Sequence, residues 1–331
     1  MTQPVAVLPD LYQLTVPTPF PVGPVNVYAA RQADGLALVD CGPRTLEARA
    51  ALDAGLAALG YSVRDVRRIV VTHAHADHYG LAADLVAESG AQVLTHPFNR
   101  PMLESFADER ERLLAFYAEF LGMSGVPHDV GQMVQSARRS IGDYAETVPV
   151  AGDVTDGDTV MLAGRAWQVL HTPGHSAGLV CLYEPRSHVL LSDDHLLRDI
   201  SSNPVAEPLP LGRTGRYQPL VEYLGQLRRV AALDVSVAWS GHGDPIPHVP
   251  ELVRQRVEFH ARRAGRILEL FNGHELTAFQ IMRSLFPVLD PANFFLAVSE
   301  VTGHLELLEW EGRVRSIRRD SVIVWQTYRP E

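Results

Sequence analysis

The sequence predicts an α+β protein: one large mixed unit followed by a smaller, mainly helical one. Three observations predict it. Short β-branched runs such as Ile69-Val70-Val71 and Val189-Leu190-Leu191 alternate with longer stretches of helical apolar spacing. Several strand-like runs come in pairs around short turns, as hairpins require. After Pro245-Ile246-Pro247-His248-Val249-Pro250 the pattern changes to long amphipathic periods. A chain of 331 residues exceeds one typical domain. The expected division is therefore 1–250 and 251–331, with a helical insertion at about 97–148 in the first part.

Taken in order, Leu11–Val16 and Val25–Ala30 read as the first strands, split by Pro17-Thr18-Pro19-Phe20-Pro21-Val22-Gly23-Pro24. Four prolines and a Phe make that connection stiff, with a ring to present. Leu36–Val39 is the next strand and ends in Asp40-Cys41-Gly42-Pro43. Thr45 to Leu59 reads as an amphipathic helix stopped by Gly60. Ile69–Val71 is a buried strand, and Tyr79 to Ala87 a helix ending near Gly90. From Pro97 to Val148, Met102, Phe106, Leu113, Leu114, Phe116, Tyr117, Phe120 and Leu121 recur at mostly helical spacing, with Met133 a weaker continuation. This stripe reads as core packing, with a substrate-lining role as the alternative. Val160–Leu162 and Trp167–Leu170 flank a hairpin turn, as do Leu179–Tyr183 and Val189–Ser192. Residues 200–215 are rich in Pro and Gly and follow a candidate site directly, so they are expected in a pocket wall. Tyr217 to Leu233 is the next helix. Beyond the proline-rich boundary, Val253, Val257, Ala261, Ala264, Leu268 and Phe271 mark one helix, and Thr277-Ala278-Phe279-Gln280 opens a second with a capping box. Phe294 to Leu308 carries a third, and Arg313–Ile317 with Val322–Trp325 form a hairpin. Three helices and a hairpin give a winged-helix pattern.

Composition narrows the function classes. Hydrophobic residues make up 46% and charged ones 21%, which suits a folded globular chain. A net charge of −10 disfavours nucleic-acid binding by the whole molecule, and every cation apart from histidine is Arg, since the chain has no Lys. The two cysteines, Cys41 and Cys181, show no CxxC spacing, so neither a disulfide framework nor a thiolate metal site is implied. There is no leader-like N-terminus and no membrane-length apolar run, and the expected location is cytoplasmic, without a membrane partner.

The chemistry concentrates in Thr72-His73-Ala74-His75-Ala76-Asp77-His78. Three imidazoles and a carboxylate follow a buried strand, in the loop where open sheets place their sites. These donors suit zinc and its first-row neighbours. One loop cannot aim enough ligands at an ion, so distant partners are expected, and three apolar runs lead to them: His171-Thr172-Pro173-Gly174-His175, Ser192-Asp193-Asp194-His195 and Trp239-Ser240-Gly241-His242.

His-x-His-x-Asp-His, then Pro-Gly-His, then an Asp after an apolar strand, then Gly-His, in that order, resembles the ligand set of the metallo-β-lactamase-fold hydrolases. The resemblance covers roughly residues 1–250. It implies an αββα sandwich. It also implies two divalent metal ions, zinc by default and iron or manganese as alternatives. His73, His75 and His175 would hold the first, Asp77, His78 and His242 the second, with Asp194 bridging. The chain departs from the usual pattern at Asp193, where Gly commonly precedes the bridging Asp. Asp40 would buttress the metal loop by hydrogen bonding, and Phe20 and Tyr79 are candidates for lining the substrate entrance. His96, His128, His171, His188, His248, His260 and His274 lack such support and read as structural or solvated. The C-terminal part resembles the module of lactamase-β-2-like metallohydrolases, a group that includes an endoribonuclease.

What the resemblance implies is hydrolysis by a metal-bridging hydroxide that Asp77 helps to orient. His195 is a candidate proton donor, or alternatively a structural residue. The same core cleaves lactones, thioesters and phosphodiesters, so the fold does not select the substrate. A small ester, lactone or thioester is expected first, given the net negative charge and the helical insertion. A metal-dependent endoribonuclease or phosphodiesterase, with Arg313, Arg315, Arg318 and Arg319 on phosphates, is the alternative. A non-catalytic metal-binding sensor would typically have lost a ligand, and none is missing. A homodimer is a further expectation.

Overall fold

The computed structural model describes residues 3–290 and 293–328. The strands β1 (Val5–Leu8), β2 (Leu11–Val16), β3 (Val25–Gln32) and β4 (Gly35–Val39) run antiparallel. Helix α1 (Leu46–Ala58) then returns the chain to β5 (Val66–Val71), which pairs parallel to β4. Two short helices, α2 (Ala76–Tyr79) and α3 (Ala82–Ser89), lead to β6 (Gln92–Thr95). After a helical excursion through α4 (Arg100–Glu104), α5 (Phe106–Met123) and α6 (His128–Ile141), β7 (Gly152–Asp153) closes a seven-stranded sheet in sequence order.

The second sheet has the order β12-β11-β10-β9-β8. Its strands β8 (Thr159–Leu162), β9 (Arg165–His171), β10 (Val180–Glu184) and β11 (Val189–Asp193) are antiparallel neighbours. Helix α7 (Pro219–Ala231) then carries the chain to β12 (Val237–Ser240), parallel to β11. Leu11, Tyr28, Val39 and Val70 from one sheet meet Leu162, Trp167, Val180 and Leu191 from the other in a buried core between them. The outer face of the first sheet packs on α1 and α3 through Leu52, Leu56 and Leu85. The outer face of the second packs on α7 through Leu220, Tyr223 and Leu227. The result is a helix–sheet–sheet–helix sandwich, as expected.

The remaining chain forms α8 (Val249–Phe271), β13 (Leu276–Thr277), α9 (Ala278–Leu285), α10 (Phe294–Trp310), β14 (Val314–Arg319) and β15 (Val322–Thr327), with a small sheet ordered β13-β15-β14. The capping box at Thr277 is present. The insertion does not build a core of its own. Leu114, Tyr117, Phe120 and Leu121 of α5 join Ile267, Phe271, Ile281, Phe295 and Val301 in one apolar cluster, with Tyr117 and Phe295 ring centroids 4.4 Å apart. Met133 does not continue that stripe; it is 65% exposed.

Two further differences have local causes. The helix expected from Tyr79 to Ala87 breaks into α2 and α3 around Gly80. There a Cβ would collide with the backbone carbonyls of Tyr144 and Ala76 and the Arg44 amide, so the chain presses against its neighbours at that point. The short strands β1, β7 and β13 were not anticipated, being two to four residues long with no alternation to read.

Candidate metal centre and its cavity

The site begins where β5 leaves the first sheet. Val70 and Val71 are fully buried, and Thr72 is held by Asp40. The Thr72 amide donates to Asp40 Oδ1 and its hydroxyl to Oδ2, both at 2.8 Å. That anchor fixes the next six residues, and the single turn of α2 brings Asp77 and His78 round to the side of His73 and His75.

His73 Nε2 lies 3.0 Å from His75 Nδ1, which lies 3.0 Å from His175 Nε2. Three ring nitrogens this close, with donor atoms mutually within 4.8 Å, are spaced for one ion bound at about 2.0–2.1 Å from each. Asp77, His78 and His242 form a second such group: His242 Nε2 is 3.4 Å and His78 Nε2 4.0 Å from Asp77 Oδ2. Asp194 Oδ2 stands between the groups, 3.4 Å from His175 Nε2 and 3.7 Å from both His78 Nε2 and His242 Nε2. His78 Nε2, His242 Nε2 and Asp194 Oδ1 are buried without a hydrogen-bond partner among the described residues. Orphaned donors turned toward a common point are what a cation would satisfy, so the residues fit a divalent metal.

The far side of most rings is secured. His73 Nδ1 is 2.9 Å from Asp193 Oδ2, and His78 Nδ1 is 2.9 Å from Asp40 Oδ2. His175 Nδ1 is 3.0 Å from Ser202 Oγ, and His242 Nδ1 is 2.8 Å from the Pro24 carbonyl. Such partners fix which nitrogen faces the ion and raise its basicity. Asp40 hydrogen-bonds Thr72 and His78 at the base of this loop. Asp193, Ser202 and the Pro24 carbonyl were not anticipated in these roles.

The two groups differ electrostatically. Burial lowers His75 well below the ordinary imidazole value, helped by His73 and His175, and takes His175 down to about 4 despite Asp194. These rings offer free lone pairs at neutral pH. Burial would also lower His78, but Asp193, Asp194 and Asp77 outweigh it and raise His78 well above the usual range. Burial would raise Asp77 and Asp194, yet His78 and His242 hold both below ordinary carboxylate values. Without an ion, imidazolium–carboxylate pairing occupies the second group; a bound cation would displace those protons.

His75, Asp77, His175 and Asp194 form the polar floor of a cavity of about 710 Å³. Its walls are mainly apolar: Phe20 from the β2–β3 connection, Met102, Phe106 and Tyr117 from the insertion, Leu197, Ile200 and Val205 after β11, and Phe295 from α10. Phe20 and Tyr79 both line it, and Phe20 packs edge-on against Tyr144 at 5.3 Å. His195 is placed elsewhere. Its ring is fully buried against Tyr223, centroids 5.5 Å apart, and is not among the lining residues. Burial pushes it down to about 3, so at pH 7 it is neutral and lacks the imidazolium proton that a general acid gives up. The structure gives His195 a packing position in place of the donor role. Glu207 was not singled out by any motif. Its Oε2 accepts from the Ala177 amide and its Oε1 lies 3.9 Å from His75 Nε2, so it ties the cavity wall to the first group.

Gly241 offers a sharp test of this packing. A Cβ there would run into the carboxylates of Asp193 and Asp194 and meet His78 Cε1 at 3.0 Å. Gly241→Ala is expected to weaken metal retention roughly ten- to hundredfold, the effect of disturbing ligand support, measured by chelator competition. Unchanged affinity would show that the ligand shell has slack.

Residues 20–242 match the family model described as the metallo-beta-lactamase superfamily. The chain is 35% identical over 322 residues to a probable metallo-hydrolase, YqjP, of Bacillus subtilis, covering 96% of this chain and 98% of that one. It is similar to the crystal structure of a metallo-beta-lactamase family protein from Thermus thermophilus, at 30% identity and TM-score 0.81, covering 97% of this chain and all of that one. A shorter likeness, 25% identity over 115 residues (35% of this chain, 32% of the other), is to an atrochrysone carboxyl ACP thioesterase of Aspergillus fumigatus.

Proposed function

Because the chain belongs to the metallo-beta-lactamase superfamily and is a metal-dependent hydrolase, we propose that it holds two divalent cations and hydrolyses a small ester, lactone or thioester. Zinc is the metal that all-His and Asp ligation favours, and iron or manganese would accept the same donors. When bound, two such ions supply Lewis acidity and an acidified water nucleophile.

The observation that carries the carbonyl reading is the cavity. Its volume of about 710 Å³ falls within the range of small-molecule sites. The candidate ligand residues border it, and its mainly apolar walls would hold an acyl or ring portion against Phe20, Phe106, Tyr117 and Phe295. The two arginines in the wall are paired, Arg112 with Glu109 and Arg110 with Asp143 at 3.6 Å. Asp77, ionised and at the floor, would orient the nucleophile by accepting its hydrogen bond. Tyr79 borders the cavity, and its buried hydroxyl has no hydrogen-bond partner among the described residues. The shorter likeness to a fungal thioesterase favours a thioester among the carbonyl candidates.

The nucleic-acid reading finds less support, since the C-terminal arginines are engaged. Arg319 is 2.9 Å from Glu275, Arg313 is 3.6 Å from Glu311, and Arg315 stacks over the Tyr328 ring. Arg318 donates to the Asp320 carbonyl.

Elemental analysis paired with turnover of a lactone, a thioester and a single-stranded RNA on one sample tests the proposal. Two metals per chain, carbonyl turnover and intact RNA are expected. RNA cleavage that falls steeply with salt and on replacing the C-terminal arginines would transfer the assignment to a nuclease. Less than one metal per chain would remove the mechanism.

A further inference from the structure

Asp193 carries more of the site than its place beside Asp194 suggests. On a regular strand, consecutive side chains point to opposite faces, so only one of the pair should reach the metal centre. Here the register of β11 against β12 shifts between Leu191 and Asp193, and Asp193 takes a left-handed backbone with φ +44°. The two irregularities turn both carboxylates inward. Asp193 is 3% and Asp194 4% exposed, and a Cβ on Gly241 would meet both carboxylates.

The left-handed conformation is one that Gly adopts freely and Asp tolerates at a cost, and the resemblance noted above makes Gly the usual residue here. In return the carboxylate touches three groups. Oδ2 lies 2.9 Å from His73 Nδ1 and 2.5 Å from Thr72 Oγ1, and Oδ1 lies 3.3 Å from His78 Nδ1. His73 belongs to the first ligand group and His78 to the second. Asp193 therefore braces a ring in each group from behind, whereas Asp40 reaches only His78 and Thr72. Charge points the same way. Two divalent cations bring four positive charges, and the ligands Asp77 and Asp194 answer two. Asp40 and Asp193 place two more carboxylates against the ligand rings, in a buried region where uncompensated charge is costly.

We propose that Asp193 is a positioning residue for both metals. It holds His73 and His78 with Nε2 toward the ions and completes the charge complement of the centre. This rests on the dinuclear reading above. Removing such outer partners typically lowers metal affinity ten- to hundredfold, and here both ions should loosen together.

The test compares the wild-type protein with Asp193→Gly and Asp193→Asn, using chelator competition for zinc, the visible spectrum of the cobalt-loaded form and the melting temperature of the metal-free form. Asp193→Gly should still fold, because Gly suits the backbone, with a lower metal-free melting temperature because His73, His78 and Thr72 lose a buried partner. Its affinity should fall roughly ten- to hundredfold at both sites, with altered cobalt bands. Asp193→Asn keeps one acceptor oxygen and should lie between. Wild-type affinity at both sites in Asp193→Gly would overturn the proposal while leaving the dinuclear reading intact. A wild-type protein that holds fewer than two ions would defeat the dinuclear reading itself, and this proposal with it.

Discussion

Asp194→Ala is expected to abolish nearly all turnover and to leave no more than one tightly held metal per chain. The reason is position. Asp194 Oδ2 is within 3.7 Å of ligand nitrogens from both groups, and no other carboxylate among the described residues can take its place. Asp77 faces the second group, while Asp193 and Asp40 are committed to Nδ1 atoms behind the rings. On the proposed dinuclear reading, two dications a few ångströms apart would repel strongly, and a shared carboxylate would make their joint occupancy tolerable in a buried site. A thousandfold loss in kcat/KM corresponds to about 4 kcal/mol of transition-state stabilisation, and roughly that loss is expected. Asp194→Asn separates charge from shape: it keeps one oxygen at the bridging point and should recover part of the metal but little of the rate. The measurements are metal content after gel filtration and kcat/KM on the best carbonyl substrate. Two metals and near-normal turnover in Asp194→Ala would mean that the bridge lies elsewhere.

The ligand side chains were legible because metal chemistry restricts both residue type and spacing. His73, His75, Asp77 and His78 lie within six residues after a strand of the first sheet, and His175, Asp194 and His242 each follow an apolar strand of the second sheet that leads to the same site. Asp40 was legible for a related reason, as the residue after a strand at a glycine turn. What holds the rings was not. Ser202 and the Pro24 carbonyl come from irregular segments with no repeating pattern, and any Ser or any carbonyl could have served. Asp193 looked like a departure because its inward aim depends on a register shift and a positive φ, neither of which leaves a mark on composition.

The insertion shows the same division. Its helical period was readable, and so was its apolar stripe, but a period does not say which partner the stripe meets. Tyr117 meets Phe295, far along the chain, while also bordering the cavity. Packing and cavity lining are thus not exclusive for this helix, since Tyr117 packs on Phe295 and both residues border the cavity. The C-terminal unit thereby helps to shape the pocket, with Phe295 in the wall, which gives it work without any nucleic acid. His304 escaped notice as a lone helical histidine, yet it is fully buried with its Nε2 3.1 Å from His260 Nδ1.

That buried pair belongs to the second large expected effect, a loss of stability and metal on mild acidification. Burial pushes His195, His96 and His260 down to about 3 and His304 to about 4. The unfolded chain takes up protons on these rings near pH 6.5, whereas the folded chain takes them up only near 3 to 4. Their contribution is therefore complete above pH 6.5 and is lost as pH falls, at up to about 1.4 kcal/mol per unit for each independent ring. His260 and His304 share a hydrogen bond, and Arg256 and Arg263 also disfavour a proton on His260, so the pair cannot relieve itself by charging. Two carboxyls act in the opposite sense. Burial raises Glu306 to about 7 and Asp40 to about 6, so the folded state binds their protons first and gains as pH falls. Four imidazoles against two carboxyls leave a net loss between pH 7 and 5 of about 4 kcal/mol, or roughly 6 °C in melting temperature for a chain of this size. In the metal-loaded protein a second loss adds to the first, because protons compete for the lone pairs of His75 and His175 and every departing cation removes its binding energy from the folded state. Melting temperature and retained metal, measured after equilibration at pH 7.5, 6 and 5, should fall together in the loaded protein. The chelated protein should show the smaller decline alone. A chelated protein as stable at pH 5 as at 7.5 would mean that these buried rings take up protons in the fold after all.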